Sequence, residues 1–164
     1  MKTAIRLLLG ACLLVLSCWA DPAIAASSGA IRAYDDVVIT DKSFAGQNLQ
    51  QAEFAYDNLS DADFHDADLR GAVFNTCGLE NANLRGIDFS DGIAYLTRFQ
   101  GADLSDAVLT EAVMLRSTFE DAKIDGADFS FAVLDRLQAK LLCDRATGTN
   151  SQTGIATRES LGCS

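Results

Sequence analysis

Histidine, proline and positive charge are all scarce in this chain of 164 residues: one His, one Pro, and 13 Lys plus Arg against 23 Asp plus Glu. A formal net charge of −10 makes phosphate backbones and anionic headgroups poor partners, so direct nucleic-acid binding is disfavoured. The single imidazole, His65, stands among acidic neighbours, and a general base needs both a partner and a pocket, so it reads as a surface residue. No G-x-x-x-x-G-K-S/T, G-x-G-x-x-G, G-x-S-x-G or H-E-x-x-H pattern occurs, and the aspartates lack the alternating donors of a calcium loop. The expectation is a non-enzyme with no catalytic, cofactor-binding or metal-ligating residues. With 49% apolar residues, the chain is not disordered, and its length suits one domain.

Long hydrophobic runs are also missing, with one exception. Leu7 to Leu16 follows the cations Lys2 and Arg6, and it is shorter than the ~20 residues a helix needs to cross a membrane. It reads as the core of a secretory signal, with Pro22-Ala23-Ile24-Ala25 offering a small-x-small cleavage site after Ala25. The alternative is lipidation at Cys18, because Val15-Leu16-Ser17-Cys18 loosely resembles a lipobox, although Leu16 is larger than usual there. Residues 1–25 are assigned to the signal. The mature chain, 26–164, keeps eleven basic and twenty-two acidic residues, a net −11. It would have no membrane span, and export would place it where disulfides persist.

What the chain has is a period of five. Bulky apolar residues occupy one unbroken frame from Phe44 through Leu49, Phe54 and Leu59 to Phe129 and Leu134, filling 18 of 19 positions with only Ala94 as an interruption. Two residues before most of them lies a small residue, mostly alanine, with Cys77, Gly92, Thr97 and Ser117 as other small members. Spacing of two puts both on one side of an extended segment, and the three-residue step to the next pair must contain a turn. An α-helix would rotate such a stripe by ~140° per repeat. Charge placement tests the reading independently. Of 21 charged residues between 44 and 134, random placement would put 21 × 37/91, between eight and nine, at the 37 inward positions; only Asp57 is there.

Units such as Ala62-Asp63-Phe64-His65-Asp66, Ala67-Asp68-Leu69-Arg70-Gly71 and Ala102-Asp103-Leu104-Ser105-Asp106 resemble the A-(D/N)-(L/F)-x-x motif of pentapeptide repeat proteins. The resemblance implies an all-β fold over 44–134: a right-handed quadrilateral β-helix with twenty residues per coil and about five coils. Residues 26–43, with Val37-Val38-Ile39, would cover the first coil. Leu134, Leu137 and Leu141 fall at i, i+3 and i+7, which predicts a short amphipathic helix over 133–145 lying across the last coil as an α-helical cap. The closing segment, 135–164, resembles the two-cysteine tail of cyanobacterial and chloroplast lumenal members. That resemblance implies a Cys143–Cys163 disulfide around a Gly/Thr/Ser-rich loop without an obvious core; the alternative is two free thiols. Cys77, in the small inward series, reads as buried and inert.

Aligning the sequence at twenty residues per coil makes the outer faces comparable. Val73, Ile93, Val113 and Val133 form one outward column beside Tyr95 and Leu115, a candidate interaction patch. Two other walls carry Asp63, Asp66, Asp103, Asp106 and Asp125, and Asp68, Asp88, Asp91 and Asp128, and read as solvated acidic faces. Ala94 leaves room between Phe74 and Met114, into which Tyr95 or Leu96 is expected to adjust. The expected function is an exported structural or protein-interaction module of the thylakoid lumen or periplasm of a cyanobacterium, since a chloroplast member would carry a longer bipartite presequence. It would act through a protein partner or self-association. The alternative, also by resemblance, is an acidic DNA-mimic inhibitor of a topoisomerase.

Overall fold

A computed structural model describes residues 42–164; the signal segment, Cys18 and all of the 26–43 segment except its last two residues lie outside them. Parallel pairing recurs at intervals of twenty residues in four sets, forming a β-helix solenoid. One set runs through Ser43, Asp63, Asn83, Asp103 and Lys123, one through Asn48, Asp68, Asp88, Val108 and Asp128, and one through Asn58, Gly78, Arg98 and Thr118. The fourth contains three short strands, β1 (Glu53–Ala55), β2 (Val73–Asn75) and β3 (Ile93–Tyr95), and continues to Val113 and Val133. This set is called the strand wall below.

Each five-residue unit turns because one residue adopts a left-handed conformation. Positive φ occurs at every fifth position from Gly46 to Phe131 without a gap. Gly, Asp and Asn tolerate this region best, which accounts for Gly71, Gly86 and Gly101 and for Asp61, Asp66, Asn81, Asp91, Asp106 and Asp121 there. Where an Asp or Asn stands just before an apolar centre, it has a local role of its own. Its Oδ1 accepts the N–H two residues on, as in His65 N–H to Asp63 (3.2 Å), Ser90 N–H to Asp88 (3.0 Å) and Ser105 N–H to Asp103 (3.0 Å). These Asx turns bend the chain toward the corner.

Inside, Phe54 stacks on Phe74 at 5.0 Å between centroids and Phe99 on Phe119 at 5.1 Å. The gap at Ala94 is not filled by Tyr95 or Leu96, which stay 36% and 41% exposed. Phe89 lies in that region instead: its ring edge sits where a Cβ on Gly92 would be, 2.5 Å away, and its centroid is 5.6 Å from that of Phe74. Gly92 and Ala94 are therefore one paired adjustment, and β2 and β3 keep their register across it, with Phe74 opposite Ala94.

The non-alanine members of the small series have a structural reason as well. At the corner after the strand wall, the carbonyls of Phe54, Phe74 and Ala94 accept from side chains of the next coil: Cys77 Sγ (3.4 Å), Thr97 Oγ1 (3.0 Å) and Ser117 Oγ (2.7 Å). Burial pushes the Cys77 thiol up to about 11, so it stays protonated as a donor.

After the last repeat, α1 spans Arg136–Cys143 and α2 Thr157–Ser160. The helix is shorter than the 133–145 expected and is turned differently. Leu142 is its one fully buried residue, while Leu137 and Leu141 are 64% and 44% exposed. The periodicity correctly identifies a helix but not its inward face, because the buried contact is one residue away from the i, i+3, i+7 series.

Candidate interaction surface

The strand wall brings the six patch residues together. Pairing aligns Val73, Ile93, Val113 and Val133 in one column, with Tyr95 and Leu115 alongside. Ile93, Tyr95 and Val133 are exposed; Val73, Val113 and Leu115 are half-buried. Between Glu53 at one end and Asp135 at the other, no outward residue of this wall is charged. Arg116 borders it, with its guanidinium 5.8 Å from the Tyr95 ring centroid and its backbone N–H donating to Asp135 Oδ2 (2.5 Å). Tyr56, Leu96 and Phe131, which are 72%, 41% and 83% exposed, flank the wall and extend its apolar character. The inward/outward reading passes over them because they are corner residues. Their trace in the sequence is a bulky residue where Asp or Gly is usual.

The acidic walls are less open than their sequence suggests. Three of the ten described cations pair onto them, Arg70 with Asp68 (2.7 Å) and Asp88 (3.8 Å), Arg85 with Asp106 (3.9 Å) and Lys123 with Asp103 (3.4 Å), while Arg98 pairs with Glu80 (2.5 Å) beside the wall of Gly78 and Arg98. The side-chain bond from Arg70 holds the Asp68 carboxyl at about 2. His65 Nδ1–H donates to Asp63 Oδ1 at 2.9 Å, which lowers Asp63 and raises the imidazole. Asp128 is not solvated: it is 2% exposed, with Ser130 N–H and Oγ both donating to its Oδ1. Among the described residues no group of three or more His, Cys, Asp or Glu is placed to hold a metal ion, and no helix is long and apolar enough to cross a membrane.

The tail after α1 folds back on the last two coils. Asn150, 1% exposed, donates through Nδ2 to the carbonyls of Asp106 (3.1 Å), Ala107 (3.3 Å) and Gly126 (2.9 Å), while its Oδ1 accepts from Gln152 and Thr153 N–H. Thr147 O accepts from Gly126 N–H (2.9 Å), and Ser160 Oγ accepts from Phe129 N–H (2.9 Å). Arg145 donates to the Phe119 carbonyl. Thr147 O and Ser160 Oγ take the places that carbonyls of a further coil would fill at an otherwise unpaired edge. Cys143 and Cys163 are joined by a disulfide, with Cα atoms 5.6 Å apart, at the base of this segment.

Eight copies of the profile for pentapeptide repeats match the chain, over residues 43–75, 58–92 and 97–136. A stretch of 42 residues, 26% of this chain, is 67% identical to the thylakoid lumenal protein TL20.3 of Arabidopsis thaliana chloroplasts and spans 15% of that relative's length. A pentapeptide repeat protein from the Arabidopsis thaliana thylakoid lumen is 32% identical, covering 73% of this chain and 90% of that one, with a TM-score of 0.39. Another from Nostoc PCC 7120 is 31% identical, covering 54% and 75%, with a TM-score of 0.48.

Proposed function

Because this chain belongs to the pentapeptide repeat family, we propose that it is a non-enzymatic structural or protein-interaction module of the thylakoid lumen or periplasm. In this reading the mature chain is a right-handed, four-sided β-helix of about five coils, closed at its far end by α1 and a Cys143–Cys163-bridged tail. The observation that carries the proposal is the uncharged strand wall: in a chain of net charge −10, it is a face where another protein can settle without desolvating carboxylates. Its centre is Ile93, Tyr95, Val113 and Leu115. The lumenal names of two relatives support the compartment.

The test is affinity capture of the mature protein's partner from lumen-enriched extract, with sedimentation of the reconstituted pair. Replacing Ile93 and Leu115 together with Lys is expected to abolish association and leave the fold intact. Unchanged association in the folded variant removes the wall from the reading.

Acidity favours a second reading, the DNA-mimic inhibitor of a topoisomerase. It predicts inhibition in a supercoiling assay and a cytoplasmic protein on fractionation.

A further inference from the structure

Cys143 and Cys163 lie in an open groove of about 650 Å³ at the end of the molecule, and the groove is unlike the rest of the surface. Arg136, Lys140 and Arg158 all line it. No carboxylate lies within ion-pair distance of any of the three among the described residues; they share this with Lys42, Arg116 and Arg145, which do not line the groove, while Arg70, Arg85, Arg98 and Lys123 are all engaged. Arg136, Lys140 and Cys143 follow one another at i, i+4 and i+7 along α1, so two cations lead along one helix face to the Cys143 sulfur. Arg158 ties the two halves: its Nη1 donates to Cys143 O (2.9 Å) and its carbonyl accepts from Cys163 N–H (3.0 Å). Asp144 also lines the groove, so it carries both signs with the cations in excess.

We propose that this groove is a docking site for anionic thiols and that the Cys143–Cys163 bridge is their substrate. The inference rests on the bridge assigned above. A thiolate steered in by the cations attacks the Cys163 sulfur, forming a mixed disulfide and releasing Cys143 as a thiolate. Lys140 and Arg136 on its own helix face stabilise that charge. A second thiolate attacks the reductant's sulfur in the mixed disulfide and releases Cys163. Two reductant thiols become one disulfide, and their two electrons and two protons pass to the two cysteines. The bridge closes the segment that supplies Thr147 O to Gly126 N–H and Ser160 Oγ to Phe129 N–H, so its opening loosens the cover of the last coil.

The experiment follows reduction of the full mature chain by glutathione, which is anionic, and by cysteamine, which is cationic, at equal thiolate concentration, with alkylation and mass analysis. At low salt, glutathione is expected to react at least about threefold faster, with the preference lost at high salt and in R136Q/K140Q. Equal rates in the wild type, or an unchanged preference in the variant, overturn the docking site. After reduction, amide exchange at Gly126 and Phe129 is expected to quicken at least about tenfold while Leu84, bonded to Asp103 O in mid-solenoid, stays protected. Unchanged protection at Gly126 and Phe129 overturns the coupling to the cover. Two alkylatable thiols at 143 and 163 before any reductant is added would instead remove the bridge itself.

Discussion

At the residue scale, the acidity of this protein has a local origin. Asp63, Asp68, Asp88 and Asp103 accept a backbone N–H two residues on, and Asp61, Asp66, Asp91, Asp106 and Asp121 occupy left-handed corners. Carboxylates accumulate because the fold needs short polar acceptors at fixed positions, whatever else the charge does. Asp88→Asn keeps the acceptor and is expected to change stability by less than about 0.5 kcal/mol. Asp88→Ala removes it and is expected to cost about 1 kcal/mol in urea unfolding. Equal costs for the two would show that charge matters there rather than geometry. Ala94 and Gly92 illustrate the opposite case, where sequence misleads. Ala94 interrupts the apolar ladder and Gly92 reads as one more small residue, yet together they accommodate the Phe89 ring.

Among the elements, the tail shows most clearly what sequence leaves unreadable. Its Gly, Thr and Ser residues have no periodicity, and its order comes from backbone carbonyls more than twenty residues away. Asn150 is the centre of that docking, with three carbonyl acceptors and two N–H donors around one side chain. Asn150→Ala is expected to cost about 3 kcal/mol, since more than one buried group loses its partner. It should also speed amide exchange at Gly126 more than at Leu84. A variant as stable as the parent would mean that the tail contributes little to the last coil. In α1, the i, i+3, i+7 leucines show that a helix forms, but only the solenoid end selects Leu142 as the residue that enters the core.

For the whole molecule, the paired carboxylates set the response to acid. Asp68 sits at about 2 and Asp63 below its ordinary value, through their bonds to Arg70 and His65. Burial pushes Glu80 and Asp103 upward, but bonds from Arg98 and Ser60, and from Ser105 and Lys123, outweigh it and leave both lowered. Groups with depressed folded values stabilise above their unfolded range and lose that contribution as pH falls through the folded value. Stability is therefore expected to decline from about pH 4 toward pH 2. Arg70→Gln should flatten part of that decline, in urea midpoints measured at low salt. A midpoint independent of pH across this window would show that the pairs are screened out, as exposed pairs with Arg70 half in solvent often are. His65 works in the other direction: its raised value gives a contribution present below the ordinary histidine range and lost as pH rises through the raised one.

The five-residue frame by itself determined the inward and outward sets and a turn in every unit, because its contacts recur at a fixed spacing; the twenty-residue coil, and with it the solenoid and the uncharged wall, was legible through the resemblance to the pentapeptide repeat family. The docked tail, the buried face of α1, the Phe89 adjustment and the cations gathered at Cys143 were decided only in three dimensions. Each depends on groups that meet once, at the end or at the single irregular coil, where no repeat exists to announce them.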